Sequence, residues 1–241
     1  MQPELKPIRT GGSNYERGFG SVLGTAIPAE AQRVLRNTYL LLALTMVPTF
    51  AGAWIGMATA SVIQGSPILS FFLMLGAVIG LQFGIAAFRN SVLGIGLLLL
   101  MTGLLGWFLG PLLNYALALK NGMQLVGYAA AGTAAVFLAM GAVATTTRRD
   151  FSFMGKFLFV GMIVLLVAII ANLWLQIPAL ALTISSLVIV VFSLFLLHDL
   201  SRIVTGGETN YVIATTGVYM SLFNIFANLL HLLMAFAGER D

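Results

Sequence analysis

Two groups of side chains in this sequence have the types and spacing to do chemistry. Gly217, Ser221, Asn224, Asn228 and His231 recur at i, i+4, i+7, i+11 and i+14. At ~100° per residue they share an arc of a helix about 80° wide. The residues between them, such as Val218, Leu222, Ile225 and Phe226, are apolar. A polar stripe of this kind is costly against lipid, so it must face the interior of a bundle or a water-filled cavity. It either hydrogen-bonds neighbouring helices or lines an ion path. The second group is Asp199, beside His198, with Arg202 one helical turn on and Glu208 beyond. A carboxylate at the end of an apolar run either joins an interfacial salt bridge with Arg202 and Glu208 or senses protons or cations.

Other chemistries find little support. Cysteine is absent, so there is no thiolate ligand or nucleophile. The two histidines, His198 and His231, fall near opposite ends of spans and do not make a metal site. No HExxH, GxSxG or phosphate-binding glycine loop occurs in a suitable setting. Ser221 and His231 are ten residues apart on one helix, ~15 Å of rise, too far for a nucleophile–base hydrogen bond. The expectation is a protein that is not an enzyme, with no metal, cofactor or nucleic-acid partner.

The elements that position these residues are set by hydropathy. Hydrophobic residues make up 59% of the chain and charged residues 8%, where a soluble domain carries ~25% charged residues. Too few charges remain to cover a water-facing surface. Seven apolar runs are long enough to cross a ~30 Å hydrocarbon core as helices: Tyr39–Val62, Pro67–Phe88, Ser91–Leu113, Met123–Thr146, Lys156–Leu175, Ile177–His198 and Tyr211–Ala237. Tight turns are required at Arg89–Asn90 and Gln176–Pro178. The spacing predicts an all-α polytopic membrane protein. It comprises a polar tail at residues 1–37, a seven-span domain at 38–237 and a short external end at 238–241.

Lys and Arg set the orientation. The tail carries Lys6, Arg9, Arg17, Arg33 and Arg36, and loops on the same side carry Arg89, Arg148, Arg149, Lys156 and Arg202. The opposite side has Lys120 and Arg240. Ten basic residues against two predict a cytoplasmic N-terminus and, after seven spans, an external C-terminus. Gly76, Gly80 and Gly84 form a small-xxx-small face on the second span, and Gly103, Gly106 and Gly110 a similar one on the third. Such faces let helix backbones approach closely, within the chain or across a dimer seam.

Several segments in order resemble one family. Leu105–Asn114 (LGWFLGPLLN), His198–Ser201 (HDLS) and Tyr219–Phe226 (YMSLFNIF) resemble signatures of the Bax inhibitor-1 superfamily. Val34–Tyr39, Thr146–Asp150 with Ser152 and Phe153, and Gly206–Tyr211 are most similar to its bacterial YccA-type members, described as modulators of the FtsH protease. The similarity runs from about Val34 to Leu233. It implies six helices around a central seventh, a bacterial inner membrane and FtsH as partner. It also implies a rival activity. Ion-conducting members pair an Asp ending span six with one in span seven, and Asp199 matches the first. The second position is Ser221 here, so the two-carboxylate sensor is incomplete for that rival, a pH-sensitive cation, calcium or proton leak.

Overall fold

The computed structural model describes residues 27–147 and 149–237. Most of the polar tail, Arg148 and the C-terminal residues 238–241, expected to be external, lie outside the described residues. Among the described residues seven helices are long and apolar enough to cross a membrane: α1 (Ala29–Ala58), α2 (Pro67–Ala87), α3 (Val92–Leu117), α4 (Gly122–Thr147), α5 (Met154–Leu175), α6 (Pro178–Val204) and α7 (Tyr211–Ala237). A one-turn helix, Ala60–Gln64, joins α1 to α2.

Local sequence explains the starts and stops. Pro67 and Pro178 open α2 and α6 at positions where the missing N–H costs nothing. Gln176 ends α5 with φ 51°, and the Asn172 side chain accepts from the Ile177 amide at 3.1 Å, closing the tight turn expected there. Two helices outrun their apolar segments. α1 begins at Ala29, inside the segment assigned to the tail, because Ala31, Val34 and Thr38 are buried along one face while Glu30, Arg33 and Arg36 stay on the other. α6 runs past His198 to Val204, because Leu200, Ile203 and Val204 are buried beyond the charged residues. Hydropathy ends where charge begins, whereas a helix continues as long as one face has something to bury.

α7 is the central helix. It packs on α1, α2, α3, α4 and α6, while α5 leans chiefly on α6 through Leu165, Ile184 and Val188. The main core gathers Val212, Val218, Tyr219 and Ile225 of α7 with Leu98, Met101 and Leu105 of α3 and Leu196, Leu200 and Ile203 of α6. The outer surface carries large apolar side chains that water would not tolerate in such number, Trp54, Phe83 and Phe157 among them, each at least 74% exposed. This is a lipid-facing belt, and the protein is a multi-pass membrane protein.

The glycine faces differ from one another. On α3, a Cβ at Gly106 or Gly110 would collide with the α1 backbone at Thr49 or Gly56. On α1, a Cβ at Gly52 or Gly56 would collide with the Gly103 or Trp107 carbonyl. The two backbones therefore touch, and this is the closest seam of the fold. On α2, nothing lies within 4 Å of a Cβ placed at Gly76 or Gly80, and Gly84 meets only a Leu97 side chain at 3.1 Å. Packing within the chain is thus not what Gly76 and Gly80 do, because α2 turns that face outward.

Candidate functional site: a polar cluster at the α6–α7 junction

The expected site residues divide between two ends of α7. At one end, the C-terminus of α6 and the loops after α2, α4 and α6 converge. His198 Nδ1 lies 3.0 Å from Asp199 Oδ1. Their side chains are 12% and 20% exposed, so the pair is mostly shielded from solvent. Two glycines make room for it. A Cβ at Gly217 of α7 would sit 2.5 Å from Asp199 Oδ2, and one at Gly155 of α5 would sit 3.0 Å from His198 Nε2. The pair is thus seated between the outlying helix and the central one.

Arg202 does not pair with Asp199, although the one-turn spacing allows it. Its guanidinium donates to Glu208 at 3.3 Å. Gly206, at φ 80°, turns the chain after α6 so that the Glu208 amide donates back to the Arg202 carbonyl at 3.0 Å. Only a residue without a Cβ takes that conformation freely. The turn carries Glu208 back beside Arg202 and leaves Asp199 to His198. Glu208 also accepts from the Asn210 amide at 2.9 Å.

Asn210 was not singled out from the sequence, yet it organises this end. Its Oδ1 accepts from the Val212 and Ile213 amides at 3.0 and 3.1 Å, capping α7. Its Nδ2 donates to Asn90 Oδ1 and the Arg89 carbonyl, tying α7 to the turn between α2 and α3. An Asn just ahead of an apolar helix is the signal that could have marked it. The α4–α5 loop closes over the cluster, with the Phe151 amide donating to Ser201 Oγ at 3.4 Å. In that loop Asp150 accepts from the Ser152 hydroxyl and, at 2.8 Å, from the Ser152 amide. These bonds, the hydroxyl foremost, hold the Asp150 carboxyl below its ordinary range, with smaller help from His198 and Arg202.

The stripe on α7 does not form one continuous polar surface. Ser221 is buried at 2% exposure. Asn224 and Asn228 donate to their own helix, at the Met220 and Asn224 carbonyls. His231, at the far end, meets Ser185 of α6 at 3.0 Å. Gly217 to His231 spans ~21 Å of helix, so the stripe locks α7 to α6 at its two ends. Between them Tyr219, which the stripe omits, bonds Thr49 of α1 at 2.8 Å and the Thr102 carbonyl of α3 at 3.3 Å. Among the described residues no group of three His, Asp or Glu is placed to hold a metal.

The family-like segments acquire physical roles here. In Leu105–Asn114, Gly106 and Gly110 admit the α1 backbone. Trp107 Nε1 donates to Thr59 Oγ1 at 2.7 Å, and Asn114 donates to the Met57 carbonyl at 2.7 Å, so the same segment fastens the end of α1. A seven-span bundle with a central last helix and a carboxylate seated on it defines the class. The chain belongs to the Bax inhibitor-1 family, whose model, described as inhibitor of apoptosis-promoting Bax1, matches residues 31–238. It is 42% identical over 201 residues to the modulator of FtsH protease YccA of Escherichia coli K12, covering 83% of this chain and 89% of that one. An uncharacterized protein of Neisseria meningitidis serogroup B is 40% identical over 219 residues, 89% of this chain and 96% of the relative. An uncharacterized membrane protein of Vibrio cholerae is 41% identical over 204 residues, 85% and 90% of the two chains.

Proposed function

We propose that this protein binds the membrane-anchored protease FtsH and restrains its action on membrane substrates. It would do so from a bacterial inner membrane, with its N-terminus in the cytoplasm and its C-terminus outside. The observation that carries the reading is the 42% identity, across 83% of the chain, to a relative named as a modulator of that protease. The charge distribution supports the orientation. A mechanism follows from the packing. The polar N-terminal segment leads directly into α1, the helix in backbone contact with α3. A protease that grips the segment meets a bundle that is hard to unfold, and its grip is held in competition with other substrates. Deleting residues 1–26 is expected to abolish co-purification with FtsH in mild detergent. Undiminished recovery of FtsH with the truncated protein overturns this mechanism.

A cation or proton leak is the second reading, favoured by the seating of Asp199 against α7. Against it stands Ser221, since a shared-proton pair needs two carboxylates held close. The amides of Asn224 and Asn228 are also engaged by their own helix. Calcium flux into liposomes between pH 5 and 8 separates the two readings. Flux that Asp199→Asn removes supports the leak, and no flux, or flux indifferent to that change, rejects it.

A further inference from the structure

The ring of helices around α7 has an opening. α1 and α4 both pack against α7, but little packing joins them to each other. They meet at Tyr39 and Phe137, whose rings cross edge-to-face with centroids 5.7 Å apart. Beyond that pair lies a cavity of ≈ 420 Å³. Its floor is the central helix, at Tyr219, Leu222, Phe223 and Phe226. Its rim is Phe50 of α1, 73% exposed, and Ala130 and Ala134 of α4, both exposed. The two alanines lie one turn apart on one face of α4, and their methyl groups leave the way in open.

The lining specifies the occupant. No charged residue contributes to it. Its hydroxyls are already engaged within the protein: Thr49 with Thr45 and Tyr219, Tyr219 also with the Thr102 carbonyl, and Thr133 with the Ala129 carbonyl. Their donor hydrogens are thus used, and water, which needs two to four polar partners in such a site, finds only a few hydroxyl oxygens as acceptors. The floor from Tyr219 to Phe226 is ~10 Å long, short against the ~30 Å of hydrocarbon core that a membrane-spanning partner helix would follow. A single hydrocarbon chain does fit, and the cavity is continuous with the lipid-facing belt at Phe50 and Trp54.

We propose that one acyl chain of a bilayer phospholipid enters between α1 and α4 and lies directly on α7. The central helix is then in contact with the membrane at its middle, on the face next to the Thr49–Tyr219 bond. The test uses the full chain in vesicles of phosphatidylethanolamine and phosphatidylglycerol doped with a phospholipid bearing a mid-chain diazirine. After photolysis, adducts are mapped by peptide mass spectrometry. The expected result is labelling of α7 between Leu222 and Phe226, in addition to labelling of the outer face of α5 at Phe157 and Val164. Ala130→Trp fills the mouth and is expected to cut α7 labelling about tenfold while α5 labelling persists. Ala134→Phe repeats the test with a smaller intrusion. Absence of α7 adducts in the wild-type protein overturns the proposal, as does α7 labelling that survives in either folded variant. A second protein chain seated there in place of lipid shields α7 from the probe and gives that same absence of adducts.

Discussion

At Asp199 a carboxylate is pressed against the backbone of the central helix, and the tolerance of that contact can be measured. Alanine in place of glycine favours a helix by ~1 kcal/mol. At Gly217 it also drives a methyl group to within 2.5 Å of Asp199 Oδ2, and overpacking of that kind costs ~1–3 kcal/mol. Gly217→Ala is therefore expected to lower the thermal midpoint in detergent. In an Asp199→Ala background the same change is expected to raise it, and the non-additivity reports the contact. Asp150 allows a second measurement. Its pKa is depressed, so its contribution to stability is fully present above the ordinary Asp value of ~3.9 and is lost as pH falls through the lowered value. The difference in thermal midpoint between wild type and Asp150→Asn is expected to stay constant from pH 5 to 8 and to shrink only below about 3.9. Asp199 was legible from its place at the end of an apolar run, but its partner was not. Spacing along α6 offers Arg202, and only the turn at Gly206 reveals that Arg202 is engaged by Glu208.

The glycine faces of α1 and α3 and that of α2 are put to different uses. Gly106 of α3 faces the Thr49 backbone of α1, and Gly56 of α1 faces the Trp107 backbone of α3. Gly106→Val or Gly56→Val must force those helices apart, at an expected cost of about 3 kcal/mol, the upper end of the usual range for overpacking. For Gly76→Val and Gly80→Val the added Cβ meets nothing within 4 Å in the chain. They are expected to leave the thermal midpoint of the monomer in detergent within a few degrees of wild type. Equal losses in both pairs would contradict the assignment of the seam. The sequence contains both patterns but not the pairing of spans, since small-xxx-small spacing says that a face can be approached and not which helix approaches it. The bond from Trp107 to Thr59 and that from Asn114 to Met57 were out of reach for the same reason. Each joins residues more than forty positions apart, with no periodicity to connect them.

For the whole molecule, seven spans were readable because lipid imposes a length and a composition on each one. The helix ends were less so, as α1 and α6 extend into charged sequence wherever one face remains buried. The centrality of α7 was readable from its polar arc, though not the partners along it: His231 meets Ser185 of α6, and Asn224 and Asn228 donate to their own helix. An odd number of spans makes a further expectation testable. With the basic residues placed as they are, a periplasm-active reporter fused after Asp241 is expected to be active and a cytoplasm-active one silent. The reverse pattern would break the topology.

The order of helices along the chain also fixes an order in time. α1 finds its close partner in α3, not in its neighbour α2. At ~5–20 residues per second, the roughly 60 residues from the end of α1 to the end of α3 take about 3–12 s to synthesise. During that interval the Gly52 and Gly56 face of α1 has no mate. Of the seven helices, α7 comes off the ribosome last. The six earlier helices must therefore enter the membrane before the helix that organises them exists, and the seat for Asp199 at Gly217 is completed only once α7 has followed them.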